Sequence, residues 1–131
     1  MLVTDASVLV PALAGDSQVG RAARTRLHGT AAVAPDVVDL ECLSAFRGLV
    51  LRRKLAPRHA ALAVIELGGM GLERFAHAPL LGRIWELREN VSPYDAAYVA
   101  LAESLGATLL TADARLARAP GIRCRVEVLT A

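Results

Sequence analysis

Residues 92–113 read SPYDAAYVALAESLGATLLTAD, and this stretch decides the fold class. Ser92 and Pro93 are typical of the cap and the first position of a helix, and Gly106 is a typical helix end. The apolar run ATLLT follows, which predicts a buried strand directly after the helix. Because the stretch ends at Asp113, it joins a helix to a strand whose far end carries a carboxylate.

The rest of the chain repeats this alternation of helical patterns and short apolar runs. The predicted strands cover residues 2–5, 30–34, 72–77, 107–111 and 122–129. The predicted helices cover residues 7–13, 17–28, 36–54, 58–67, 80–89, 93–105 and 113–117. We expect the glycine-rich residues 68–71 to end the helix before them. Alternating strands and helices predict a parallel α/β sandwich, and 131 residues fit a single domain over 1–131.

The composition excludes several classes of protein. Hydrophobic residues make up 54% of the chain and the mean hydropathy is +0.40, which favours an ordered core over disorder. Charged residues interrupt every apolar run before about 18 residues, so no membrane-spanning helix is expected. The N-terminus lacks the basic segment of a signal peptide, so we expect a cytoplasmic protein. Cys42 and Cys124 have neither metal-ligand nor redox spacing.

Four carboxylates occupy positions that a parallel sheet would bring together. Asp5 ends the first predicted strand, Asp113 follows the fourth, and Asp95 lies in the first turn of a helix. These positions share the carboxyl edge of a parallel sheet, where such folds bind ligands. Glu41 lies in mid-helix on a stripe of small and apolar residues, which is not an ordinary solvated face.

Each acid also has an ordinary structural interpretation. Asp95 can complete a capping box, Asp113 can cap a short helix, Asp5 can form a turn and Glu41 can pair with an arginine. Carboxylates held close together, in contrast, repel one another unless they are protonated or neutralised by a cation. Mg²⁺ and Mn²⁺ prefer oxygen ligands, and acid clusters that hold them suit phosphoryl chemistry without a His or Lys base.

Four segments, taken in order, resemble the PIN-domain ribonucleases, and among these the VapC-type toxins of bacterial toxin–antitoxin pairs. They are DASVLV at 5–10, Leu40-Glu41, YDAAYVALAE at 94–103 and LTAD at 110–113. The resemblance covers essentially the whole chain. It implies a PIN-like three-layer α/β/α sandwich with a mainly parallel sheet. It also implies the toxin of a type II toxin–antitoxin system, a metal-dependent endoribonuclease in which a metal-activated water attacks an RNA phosphodiester.

The resemblance also assigns roles to individual residues. By resemblance, the acids that bind Mg²⁺ or Mn²⁺ are Asp5, Glu41, Asp95 and Asp113. Thr111 matches a hydroxyl position near the metal site, and Ser7 matches a small polar position that assists. Many relatives carry one more acid after the fourth, whereas Arg115 and Leu116 occupy that stretch here. Whether the site binds one ion or two therefore stays open.

Arginine dominates the basic residues, of which it supplies fourteen of fifteen, although the net charge is only +2. The candidate phosphate contacts are Arg47, Arg115 and Arg118, with solvated helix positions as the alternative. Aromatic residues that could stack on bases are scarce, so we expect an RNA substrate to be recognised mainly by its shape. The apolar helical residues 37–50 and 60–67 are the candidate groove for a VapB-like antitoxin. The resemblance also implies a homodimer and a toxin–antitoxin hetero-oligomer.

Three other functions remain open at this point. They are a PIN-domain nuclease that processes RNA outside a toxin–antitoxin pair, a non-catalytic binding module, and a phosphate-handling α/β protein. The last fits poorly, because a receiver domain needs a lysine after a late strand and the only lysine is Lys54. A haloacid-dehalogenase-like phosphatase needs a second Asp where Ser7 stands.

Overall fold

Strands and helices alternate along residues 1–131, all of which the computed structural model describes. The strands are β1 (Leu2–Thr4), β2 (Ala32–Pro35), β3 (Glu73–Phe75), β4 (Thr108–Thr111) and β5 (Val126–Val128). The helices are α1 (Ala6–Ala14), α2 (Gln18–Leu27), α3 (Val37–Leu51), α4 (Pro57–Gly69), α5 (Leu81–Glu86), α6 (Pro93–Leu105) and α7 (Ala114–Ala117), and a 3-10 turn covers Ala78–Leu80. None of these helices is long and apolar enough to cross a membrane.

The five strands form one sheet in the order β3-β2-β1-β4-β5, and every neighbouring pair is parallel. The predicted fold class is therefore confirmed, with a sheet that is entirely parallel. The chain builds the sheet outward from β1 in one direction and then returns to the other side of β1 to add β4. Ligands bind at such a reversal, outside the carboxyl ends of the strands, so the crevice at β1 and β4 is where a site is expected.

Apolar side chains cover the sheet on both faces, as parallel sheets require. Val3 and Leu109 belong to a cluster of 21 buried residues, whereas their chain neighbours Leu2 and Leu110 belong to a separate cluster of five. The helix α6 is buried along seven consecutive residues, 96–102. Four of those seven are alanine. Their small side chains let α6 lie close to the sheet and hold its first turn firmly at the carboxyl edge.

Residues at the helix ends explain most of the agreement between the predicted and the observed helix boundaries. The hydroxyl of Ser92 accepts a hydrogen bond from the N–H of Asp95 at 3.2 Å, which starts α6 as predicted. Gly106 ends that helix with a left-handed backbone, φ 62°. In contrast, α3 ends at Leu51 rather than Lys54, because Arg53 adopts φ 58°, outside the helical region.

Four further predicted elements differ in extent. The third strand covers only Glu73–Phe75 instead of 72–77. The glycines do not end α4 early, since the helix continues to Gly69 and the N–H of Met70 still bonds to the carbonyl of Glu66. The predicted helix at 80–89 divides into the 3-10 turn and the short α5. The final strand covers only Val126–Val128 instead of 122–129.

Candidate functional site

Asp5 lies where β1 ends and α1 begins, with only 7% of its surface exposed. Its side chain does not cap α1. Instead, Oδ1 accepts a hydrogen bond from the Ser7 hydroxyl at 2.5 Å and Oδ2 accepts one from the Thr111 hydroxyl at 2.6 Å. Burial raises the pKa of Asp5 above its usual value, the two hydroxyl contacts oppose that rise, and the charge of Asp95 adds to it.

The hydroxyls of Ser7 and Thr111 connect the ends of β1 and β4. Ser7 Oγ accepts the N–H of Ala112 at 2.8 Å, and Thr111 Oγ1 accepts the N–H of Asp113 at 3.1 Å. The two hydroxyl oxygens are 3.3 Å apart. Because each hydroxyl also donates to Asp5, this network fixes the Asp5 carboxylate at the strand reversal and orients the backbone that carries Asp113.

Glu41 lies in the second turn of α3 and faces α6. The hydroxyl of Tyr98 donates to its Oε1 at 2.5 Å, so Glu41 does not pair with an arginine. Burial raises the pKa of Glu41, the Tyr98 contact opposes the rise and the charge of Asp95 reinforces it. Burial, followed by the Glu41 contact, raises the pKa of Tyr98 in turn.

Tyr98 is the residue that sequence reasoning missed. It is 1% exposed and stands in the alanine-rich, buried part of α6. A buried tyrosine hydroxyl almost always has a hydrogen-bond partner, so a lone Tyr three residues after Asp95 was the available signal. The identity of its partner depended on the packing of α6 against α3, which the sequence pattern does not specify.

Asp95 is the acid that interacts by charge with each of the other three. Burial raises its pKa first, and the nearby charge of Asp113 raises it further. The charge of Asp95 in turn raises the pKa of Asp5 and of Glu41. Asp95 therefore lies in one electrostatic neighbourhood with each of the other three carboxylates, although each acid is held by a different segment of the chain.

Asp113 behaves differently from the other acids. Its Oδ1 accepts the N–H of Arg115 at 2.9 Å and so caps α7, as the structural interpretation of this residue expected. The guanidinium of Arg115 also contacts both carboxylate oxygens, and this ion pair holds the pKa of Asp113 below its usual value. Asp95, Asp113 and Arg115 line a cleft of about 270 Å³ together with Asn90 and Ser92.

The predicted phosphate contacts lie in two different places. Arg115 lines the acidic cleft, and Arg118, at the end of α7, is close enough for its charge to lower the pKa of Asp113. Arg47 instead lines an apolar groove between α3 and α4. The structure therefore places Arg47 outside the acidic cleft.

The donor chemistry of the four acids fits a divalent cation that prefers oxygen ligands, such as Mg²⁺ or Mn²⁺. The raised pKa values of Asp5, Glu41 and Asp95 reflect burial and mutual repulsion that a cation would relieve. No three of the His, Cys, Asp and Glu side chains converge closely enough to define a formed metal site. Three of the acids are held instead by hydrogen bonds, Asp5 by Ser7 and Thr111, Glu41 by Tyr98 and Asp113 by Arg115.

A family model and individual known proteins both match this chain over most of its length. The PIN-domain family model matches residues 2–122. Ribonuclease VapC1 of Mycobacterium tuberculosis is 39% identical over 128 residues, which cover 97% of this chain and 96% of the relative. Ribonuclease VapC9 of the same organism is 38% identical over 130 residues, which cover 98% of each chain.

Two crystal structures share the fold at low sequence identity. One is Mycobacterium tuberculosis VapC20, described as a toxin that cleaves the sarcin–ricin loop, with a TM-score of 0.71 at 16% identity over 94% of this chain and 97% of that chain. The other is a Pyrobaculum aerophilum protein, with a TM-score of 0.69 at 20% identity over 97% of this chain and 83% of that chain. These two likenesses show the fold.

Proposed function

The chain belongs to the PIN-domain family, and we infer from its VapC relatives that it is the toxin endoribonuclease of a toxin–antitoxin system. The observation that carries this inference is the shared electrostatic neighbourhood of four acids at the strand reversal. Each acid comes from a different segment, at the end of β1, in α3, at the start of α6 and after β4. No histidine or lysine lines the acidic cleft, so the acids are the groups available for chemistry there.

The proposed cofactor is Mg²⁺ or Mn²⁺, and the residues that would hold it are Asp5, Glu41, Asp95 and Asp113. When bound, such an ion supplies Lewis acidity towards the phosphodiester and a lower pKa for the attacking water. The protein's own part is to hold these acids in place. Ser7 and Thr111 fix the Asp5 carboxylate, and Tyr98 fixes that of Glu41.

RNA binding is assigned to the rim of the acidic cleft. Arg115 and Arg118 are both exposed there and are suited to bidentate contacts with phosphate oxygens. Such contacts provide affinity and salt dependence without base specificity. We therefore expect binding to weaken steeply as the salt concentration rises.

A VapB-like antitoxin is the proposed protein partner, and the groove between α3 and α4 is its proposed binding site. The groove has a volume of about 290 Å³ and is lined by Leu43, Phe46, Arg47, Val50, Leu51, Pro57, Ala60, Ala61 and Val64. Leu43, Leu51 and Val64 in this groove are 39%, 64% and 41% exposed, and a contiguous exposed apolar patch of this kind marks an interaction surface. An apolar antitoxin segment would cover it, and Arg47 is positioned to meet an acidic side chain of that segment.

A second copy of the chain is the proposed partner for the surface of α5 and the start of α6. Three large apolar side chains are more than half exposed there, namely Leu81, Trp85 and Tyr94. Aromatic and aliphatic anchors of this kind are typical of the centre of a protein interface. The residues of this surface differ from those that line the α3–α4 groove, and we propose that a homodimer and an antitoxin complex coexist.

The proposed activity is tested by incubating purified protein with structured RNA in Mn²⁺ or in a chelator. We expect cleavage that requires the cation and that is lost in Asp5→Asn and in Asp95→Asn. Glu89→Gln is the matched control, because Glu89 is exposed and has no ion pair. Cleavage by the two Asp variants at the wild-type rate would indicate a contaminating nuclease and would reject the function. If the cleavage requires the cation and both Asp residues, sequencing of RNA 5′ ends after brief induction identifies the substrate.

A further inference from the structure

Arg115 makes three contacts with Asp113. Its backbone N–H donates to Oδ1 at 2.9 Å, its Nε donates to the same oxygen at 3.2 Å, and its Nη2 donates to Oδ2 at 3.1 Å. The guanidinium thus engages both carboxylate oxygens. A divalent cation cannot take both oxygens of Asp113 as ligands unless the guanidinium moves away.

Asp113 is the only one of the four acids that is neutralised by a cation of the chain. Asp5 accepts hydrogen bonds from the hydroxyls of Ser7 and Thr111, and Glu41 accepts one from Tyr98. No arginine, lysine or histidine lies within ion-pair distance of Asp5, Glu41 or Asp95. Arg115 therefore forms an ion pair with one ligand position, Asp113, while its charge also opposes the rise in the pKa of the neighbouring Asp95.

We propose that Arg115 is a positioning residue that makes cation binding and RNA binding mutually dependent, by moving between the Asp113 carboxylate and an RNA phosphate. The proposal rests on the proposed function, since it takes the acidic cleft as the place where both cation and RNA bind. It concerns an exchange of hydrogen-bond partners and involves no covalent step.

The exposure of the two side chains permits this exchange. The Arg115 side chain is 85% exposed and that of Asp113 is 34% exposed, so the ion pair is accessible to water and weak. Arg115 also lines the acidic cleft beside Asp95, so the released guanidinium remains at the mouth of the cleft. A phosphate oxygen pair there offers it the same bidentate geometry that Asp113 offers now.

Mutual dependence follows because the Nε–Nη2 edge of the guanidinium, which now holds Asp113, cannot be bidentate to both partners at once. RNA that takes Arg115 frees Asp113 for the cation, and a cation that takes Asp113 frees Arg115 for RNA. By thermodynamic linkage, each ligand must then raise the affinity for the other by the same factor. The ordinary alternative is that Asp113 only caps α7 and that Arg115 only supplies the N–H for this cap. That role uses its backbone N–H, which every substitution except proline keeps.

The test compares Arg115→Ala with Arg118→Ala, which removes an exposed arginine charge and a proposed phosphate contact from the same segment but no hydrogen bond with Asp113, and so controls for the loss of charge and of RNA affinity. Calorimetric titration with Mn²⁺ alone measures cation affinity without any catalysis. Fluorescence anisotropy of a short phosphorothioate oligouridylate, which resists cleavage, measures RNA binding with and without Mn²⁺. Circular dichroism confirms that both variants fold, as expected for exposed side chains.

We expect Arg115→Ala to bind Mn²⁺ alone more tightly than Arg118→Ala, by up to about fivefold, the range of an exposed ion pair. We also expect the factor by which Mn²⁺ raises oligouridylate affinity to be smaller in Arg115→Ala than in the wild type and in Arg118→Ala. Equal Mn²⁺ affinities, or an equal factor in all three proteins, would overturn the proposal while leaving the nuclease function intact. Failure of the wild type to bind Mn²⁺ would overturn both.

Discussion

The hydrogen bond from Tyr98 to Glu41 gives the sharpest prediction about how the site is held together. Tyr98 is 1% exposed and its hydroxyl donates to Glu41 Oε1. Tyr98→Phe removes this donor and keeps the ring, so the packing of the core is preserved. Hydrogen bonds to charged groups contribute about 1.5–3 kcal/mol. Because Glu41 keeps partial access to water, we expect the free energy of unfolding to fall by about 1–2 kcal/mol at neutral pH.

The expected loss depends on pH, because the ionised form of Glu41 gains most from the donor. Burial already raises the pKa of Glu41 and the Tyr98 contact opposes that rise, so removal of the hydroxyl raises this pKa further. The contribution of the charged hydrogen bond is therefore fully present above the pKa of Glu41. It shrinks to that of a neutral hydrogen bond as the pH falls through that value.

Thermal unfolding in a chelator, at neutral pH and at about pH 4, measures this difference. We expect the midpoint of Tyr98→Phe to be lower than that of the wild type by about 3–8 °C at neutral pH and by less in acid. Tyr94→Phe is the control, since it makes the same change on the same helix at a residue that is 57% exposed. Equal losses in the two variants, or a loss at Tyr98 that is independent of pH, would refute the reasoning.

Three further variants, one of them with a matched control, test other parts of the structure. Asp95→Asn removes the charge that raises the pKa values of Asp5 and Glu41, so scanning fluorimetry in a chelator should show a higher midpoint at neutral pH. That gain should shrink in acid. Because the pKa values of Asp5 and Glu41 are raised, the folded wild type binds protons more strongly than its unfolded chain, so acid removes the repulsion that the substitution relieves. His77→Ala removes the Nε2 that accepts the N–H of Val37 at 3.0 Å, so urea unfolding should show a loss of about 0.5–2 kcal/mol. Val64→Asp in the α3–α4 groove should reduce capture of a co-expressed antitoxin, whereas Leu62→Asp, on the same helix but outside the groove, should not.

Each of these variants has an outcome that would count against the account. An unchanged or lower midpoint for Asp95→Asn would mean that the acids do not repel one another. Wild-type stability of His77→Ala would show that the start of α3 needs no cap from this ring. Equal capture by the Val64 and Leu62 variants would place the antitoxin elsewhere.

Local sequence signals predicted the parts of the fold that depend on neighbouring residues. Ser92 and Gly106 bound α6 as predicted, because a helix cap needs only residues within one turn. The end of β1 at Thr4 and of β4 at Thr111 follows from short apolar runs. The carboxyl edge of the sheet was therefore predictable, together with the acids that follow these strands.

The contacts that hold the site could not be read from such patterns. His77 caps α3 from 40 residues away, and Tyr98 meets Glu41 across a separation of 57 residues. Among the apolar helical residues 37–50, Leu40 is 69% exposed whereas Phe46 is 2% exposed. An apolar stripe does not state whether the chain itself or a partner covers it.

The central claim is that four acids from four segments form one divalent-cation site, and calorimetric titration with Mn²⁺ tests it most directly. The proteins to compare are the wild type, the exposed control Glu89→Gln, and the four amide variants Asp5→Asn, Glu41→Gln, Asp95→Asn and Asp113→Asn. We predict saturable binding to the wild type and the control, and affinity lower by at least about tenfold in each amide variant. Wild-type affinity in any of the four would contradict a shared site.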